Sequence, residues 1–181
     1  MLKNGFIFSG LCLVLCAISS TATALSPVAL KGGINRVDLN QDGGKDYVVV
    51  AQFDNNTSHP NLGMTFFVLR PDGGHSIMPV TNSNTFTWFD YRLSAAADFL
   101  VQDNRLFLSG KHYFLVTAKK QGENVFDPTK VLLTIYDFKA SRDDPGVPLY
   151  EWSERKRVIT QDTYQSVDEA YKEVDEVMLA K

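Results

Sequence analysis

The sharpest chemical pattern in the sequence is Asp38-Leu39-Asn40-Gln41-Asp42-Gly43-Gly44-Lys45-Asp46. It places oxygen-bearing side chains at its first, third, fifth and ninth positions and glycine at its sixth. A calcium ion takes six to eight oxygens at short range, and this spacing can turn alternate side chains inward while glycine permits the sharp bend. Asp38, Asn40, Asp42 and Asp46 are therefore the candidate metal ligands, and calcium the candidate ion. No glutamate stands at the twelfth position and a strand-like run follows at Tyr47, so a helix-flanked calcium hand does not fit. The other reading is a plain turn into a strand, with Asp38 and Asn40 bonding the local backbone. In either case the expected role is structural, because no nucleophile or base accompanies the loop.

A second constellation runs through Phe86-Thr87-Trp88-Phe89-Asp90-Tyr91-Arg92. Trp88, Phe89 and Tyr91 offer faces on which a ligand can stack, and Arg92 a charge to orient it, which makes these four the candidate ligand-binding residues. The same aromatics would serve equally as the core of a sheet. Catalytic patterns are lacking. His59, His75 and His112 are scattered, without paired spacing for a zinc site. Ser153-Glu154-Arg155-Lys156 matches S-x-x-K formally, but the S-D-N and K-T-G companions that such a nucleophile needs are missing. Gly32-Gly33 and Gly73-Gly74 lack the lysine or helix of a phosphate-binding loop. The expectation is a protein that is not an enzyme; were it one with an unfamiliar site, Asp90, Arg92 and His112 would be the residues to suspect.

These groups must be positioned mainly by strands. Apolar and β-branched runs predict strands at 47–53, 64–69, 76–80, 86–93, 112–118 and 131–138, the first buried on both faces. Arg70-Pro71-Asp72-Gly73-Gly74-His75 predicts a hairpin turn, and the polar run Gln102-Asp103-Asn104-Arg105 a second one between 98–101 and 106–108. Arg142-Asp143-Asp144-Pro145-Gly146 is a breaker before a short aromatic piece at 150–152. From Ser166 the pattern turns helical: Glu169 completes a capping box, and Val167, Ala170, Tyr171, Val174, Val177 and Met178 share one face. The expected fold is mainly β (α+β): a single antiparallel β-sandwich-like domain with a C-terminal amphipathic helix.

The N-terminus reads as an export signal. Lys3 precedes an uncharged run from Phe6 to Ile18, too short to span a bilayer, and Ala22-Thr23-Ala24 has the small-residue form of a cleavage site. Residues 1–24 are thus the expected signal peptide and 25–181 the single strand-rich domain, with no membrane attachment once the signal is removed. Cys12 and Cys16 both fall inside the signal, and each follows a leucine, which disfavours lipidation. The remaining 157 residues have no thiol, so neither disulfides nor thiol catalysis is available. They keep 17 of the 18 basic residues and all 21 acids, a net charge of −4 that gives no footing for nucleic acid. A lone terminal helix and uncovered strand edges point to a homodimer.

Taken together, the exported start, the segment from Gly32 to Gly43 with Asp46-Tyr47-Val48-Val49-Val50-Ala51 after it, and the stretches Asn61-Leu62-Gly63-Met64 and Asp72-Gly73-Gly74 resemble the CarG (CpmH) family of carbapenem intrinsic resistance proteins. The resemblance implies a periplasmic protein that protects its cell by a mechanism other than β-lactamase action, binding the antibiotic or shielding its targets. It also implies a carbapenem as ligand and a CarF-type immunity protein as partner. It supplies no catalytic motif to match residue by residue. A calcium-stabilised envelope adhesion or interaction module is the alternative, separable by whether antibiotic protection accompanies envelope attachment.

Overall fold

The computed structural model describes residues 25–53, 60–93, 99–141 and 144–175. The expected signal peptide, His59 and the end of the expected helix, with Val177 and Met178, lie outside the described residues. Among the described residues eleven strands form two antiparallel sheets. They are β1 (Leu25–Pro27), β2 (Gly33–Val37), β3 (Asp46–Phe53), β4 (Asn61–Leu69), β5 (His75–Ile77), β6 (Thr87–Phe89), β7 (Tyr91–Arg92), β8 (Leu100–Ser109), β9 (His112–Lys120), β10 (Val131–Ala140) and β11 (Tyr150–Ile159). The larger sheet runs β1-β8-β9-β10-β11, with β7 also on β8; the smaller runs β2-β3-β4-β5, with β6 also on β4. A seven-residue 3-10 helix, Val167–Glu173, follows the last strand. Among the described residues no helix is long and apolar enough to cross a membrane.

Strand alternation sorts the apolar residues into two cores. Leu106, Leu115 and Trp152 of the larger sheet meet Val48, Phe66 and Val68 of the smaller one, and this cluster is the inside of a sandwich. Their sequence neighbours Phe107, Phe114 and Val116 point the other way, onto Val167, Ala170, Tyr171 and Val174. The larger sheet is therefore buried on both faces at its centre. The smaller one is covered on a single face, so in β3 Asp46 and Val48 are buried while Ala51 to Phe53 are exposed, against the expectation of a strand buried on both sides.

The sequence expectations fail in four further places, each for a physical reason. Gln102 to Arg105 is not a turn but the middle of the continuous strand β8. Three of its four polar side chains find partners on other elements: the Gln102 and Asn104 amides donate to the Phe89 carbonyl at 3.1 and 2.9 Å, and the Arg105 guanidinium lies 4.3 Å from the Tyr171 ring, while Asp103 pairs with Arg105 at 3.6 Å. The charged run after Trp152 is likewise strand. Arg155 reaches Asp137 at 3.1 Å, and charged side chains suit an edge strand that must refuse further pairing. The expected strand 86–93 is two short ones in different sheets: β6 pairs β4, β7 pairs β8, and the chain changes sheet at Asp90. In place of the expected amphipathic helix from Ser166 there is a seven-residue 3-10 helix without a side-chain cap, with Val167, Ala170 and Tyr171 buried. Ser166 Oγ accepts the Leu100 N–H at 3.0 Å and donates to Asp168, which leaves it no role as a cap.

Candidate functional site

The Asp38 to Asp46 loop is knitted by its own backbone. Asp38 accepts the N–H groups of Asp42 and Gly43 at 3.1 Å each, Asp42 accepts that of Gly44 at 2.6 Å, and Asn40 donates to Asp42 at 2.7 Å. Gly43, at φ +82°, makes the bend that exposes these amides. Asp46 is fully buried beneath the loop, where its carboxylate accepts the N–H groups of Leu39 at 2.7 Å and Leu69 at 2.8 Å. Burial raises its pKa, and those amides, with that of Asn40, pull it back. The four candidate metal ligands are thus brought together as acceptors of amide protons, tying the loop to β4. Among the described residues no group of three or more His, Cys, Asp or Glu side chains is placed to hold a metal ion.

The aromatic stretch is divided by its own alternation. Trp88 is buried, edge-on to Tyr136 with ring centroids 5.3 Å apart, whereas Phe89 and Tyr91 face outward and Phe89 packs on Phe53 at 5.6 Å. Arg92 is half-buried in β7. These four residues therefore do not share one pocket. Gly63 lets β6 come this close to β4, since a Cβ there would sit 2.8 Å from the Thr87 methyl and 3.1 Å from the Phe89 ring. At the change of sheet, Asp90 is buried; it accepts the Leu62 N–H at 2.7 Å and donates its own N–H to the Leu62 carbonyl at 3.0 Å. Burial raises the Asp90 pKa, opposed by the Leu62 amide and the charge of Arg92.

The change of sheet leaves a cleft on either side of a wall made by Trp88 and Asn104. The first, of about 420 Å³, opens over the part of β8 between its two short edge partners: β1 pairs with 107–109, β7 with 100 and 102, and Asp103 to Arg105 lie in the gap. Its charged lining is Asp90, Asp103 and Arg105. Asp103 is raised to a pKa of about 6 by burial, against the Asn104 amide and Arg105, with Asp90 and Asp168 adding to the rise. The second cleft, of about 460 Å³, lies between β6 and the inner face of the larger sheet. Its charged lining is Lys119 and Arg157, beside Thr117, Thr134 and Tyr136. The Tyr136 hydroxyl is held by Thr117 and Thr134, and burial raises its pKa. The indole N–H of Trp88, in the dividing wall, is buried without a hydrogen-bond partner among the described residues.

The other residues suspected of chemistry stand apart. Tyr91 pairs with Gln102 at one end of β8 and His112 pairs with Ser109 at the other, a separation of roughly 24 Å at about 3.4 Å per residue, so Asp90, Arg92 and His112 do not converge. His112 lies beside Gln41 at 3.3 Å, and His75 stacks on Tyr47 at 4.9 Å. Ser153 and Lys156 belong to β11, where a register shift separates their pairing, not to a helix start. Lys119, Arg157 and the threonines of the second cleft are the residues that sequence reasoning missed. Their signal was the two-residue spacing Thr117-x-Lys119 beside apolar neighbours, on the face that Leu115 begins.

The comparisons with known proteins agree with one another. The family model described as "Carbapenem resistance protein CarG-like" matches residues 30–173. The solved crystal structure of CarG is similar to this chain at 73% sequence identity and a TM-score of 0.83, covering 86% of this chain and 99% of that one. No curated protein matches the sequence.

Proposed function

This chain belongs to the CarG-like family of carbapenem resistance proteins, and from that premise we propose that it protects its cell by holding the antibiotic stoichiometrically in the periplasm, leaving the β-lactam ring intact. The observation that carries the reading is the family match over residues 30–173, which takes in the whole lining of the second cleft and all of the first but Pro27, Val28 and Ala29. Two features support a binding role. Each cleft is within the size range of small-molecule sites, about 300–1,000 Å³, and combines apolar wall with a few polar groups. The groups that would have to cooperate in ring opening are dispersed: Asp90 is engaged with Leu62, His112 starts β9 opposite the far end of β8, and Ser153 and Lys156 are not set as an acylating pair. Read as an export signal, residues 1–24 support a location on the side of the membrane where cell wall synthesis is attacked, and a CarF-type immunity protein is the partner we expect there.

The test is to export the protein in a carbapenem-sensitive bacterium, measure survival on a simple carbapenem, and follow the β-lactam absorbance with purified protein. Protection without loss of absorbance, saturating at one drug per chain, supports the reading. Catalytic loss of absorbance overturns it in favour of an enzyme, and absence of protection removes its premise.

A further inference from the structure

We infer that the cleft between β6 and the inner face of the larger sheet binds a small organic carboxylate with an apolar face, its anionic group held by Lys119 and Arg157. The inference deepens the sequestration reading and rests on it for the identity of the ligand. It starts from an irregularity of alternation. Facing the smaller sheet, the inner face carries Leu106, Leu115, Phe138 and Trp152 at one end, as a sandwich core requires. Further along each strand the same face becomes polar: Asn104 and Gln102 on β8, Thr117 and Lys119 on β9, Thr134 on β10 beyond Tyr136, and Arg157 on β11 beyond a register shift. Inward-facing polar groups are costly unless they meet water or a ligand, and here they line an opening.

The charge of this opening selects its occupant. Its lining residues include two cations and no carboxylate. Glu154, also on this face, takes one arm of Arg157 at 2.7 Å, which leaves the remaining donors of the guanidinium fork. The Lys119 ammonium has no carboxylate partner among the described residues. The neighbouring cleft differs, with Asp90, Asp103 and Arg105 in its lining and the Arg105 guanidinium turned to the Tyr171 ring. Trp88, Phe89, Leu132 and the Tyr136 ring supply the apolar wall. A bicyclic β-lactam acid is compact, singly anionic and apolar on one face, and meets each of these conditions.

The test titrates the full mature protein calorimetrically with a simple carbapenem acid and with its neutral ester. We expect the acid to bind at one per chain and the ester much more weakly. Lys119→Met and Arg157→Met should each weaken the acid about tenfold, the worth of one charge-assisted hydrogen bond. Lys139→Met, which removes a cation paired with Glu151 elsewhere, should leave binding unchanged; thermal melts verify that all three variants fold. Binding that survives both cleft variants, or an ester that binds as tightly as the acid, overturns the site and leaves sequestration standing. No binding of either compound to the intact protein overturns the inference, and protection of cells under that condition would identify target shielding instead.

Discussion

Replacing Asp103 by Asn should make the protein more stable at neutral pH, although it removes an ion pair. The side chain of Asp103 is only 16% exposed, in the gap on β8 and close to the terminal 3-10 helix, and burial lifts its carboxyl from 3.8 to about 6. Arg105 opposes this weakly, its Nη2 lying 3.6 Å from Oδ2, while Asp90 and Asp168 reinforce it. The sign follows from proton binding. Between pH 4 and 6 the folded chain holds a proton on Asp103 that the unfolded chain has released, so stability falls as pH rises through that window and levels off above it. The rise from 3.8 to about 6 corresponds to about 3 kcal/mol, an upper figure for one site. Asparagine never ionises, so Asp103→Asn should match the wild type near pH 4 and exceed it by about 2–3 kcal/mol at pH 7.5. Urea denaturation at both pH values measures this as a displaced midpoint at constant slope. A variant equal to or weaker than wild type at pH 7.5, with midpoints coincident at pH 4, would refute the claim that a desolvated carboxylate sits in this gap.

Three other substitutions probe the scaffold. Lys120 is buried, its ammonium donating to the carbonyls of Val125 and Asp127 at 2.8 Å each over the Phe99 ring; Lys120→Met should cost about 1.5–3 kcal/mol and speed amide exchange at 125–127. Asp46→Ala leaves the Leu39 and Leu69 amides without their acceptor and should cost about 2–4 kcal/mol in a thermal or urea melt. The loop carboxylates accept amide protons yet keep lone pairs for a cation, so a Tm that rises with calcium and falls with a chelator would show that the loop holds the ion, and an unmoved Tm would show that its own backbone bonds suffice. Ser166→Ala removes the acceptor of the Leu100 N–H and should lower stability by about 1 kcal/mol, loosening the terminal segment in hydrogen exchange.

Where side-chain chemistry and backbone period agree, the sequence is a sound guide to this fold. The strands at 47–53, 64–69, 112–118 and 131–138 and the Arg70 to His75 turn are found in place, because their apolar alternation and turn residues argue for the same state. It misleads where polar strand residues find partners only in three dimensions. Gln102 to Arg105 looks like a loop until β6 and Tyr171 supply partners on opposite faces. The site suffered similarly. Trp88 and Phe89 stand together beside one cleft as their neighbouring places in the sequence suggest, but the change of sheet at Asp90 puts Tyr91 in another sheet, and the cations beside Trp88 come from β9 and β11, far away in sequence. Only the pairing of strands brings Lys119 and Arg157 to one opening.

The most direct test of the account is the fate of the antibiotic in the presence of the protein. Purified mature protein is mixed with a simple carbapenem at increasing ratios; β-lactam absorbance and free drug are measured together after equilibration. Sequestration predicts unchanged absorbance with free drug depleted by one equivalent per chain, and recovery of active antibiotic on denaturation. Absorbance that continues to fall with drug in excess would contradict it.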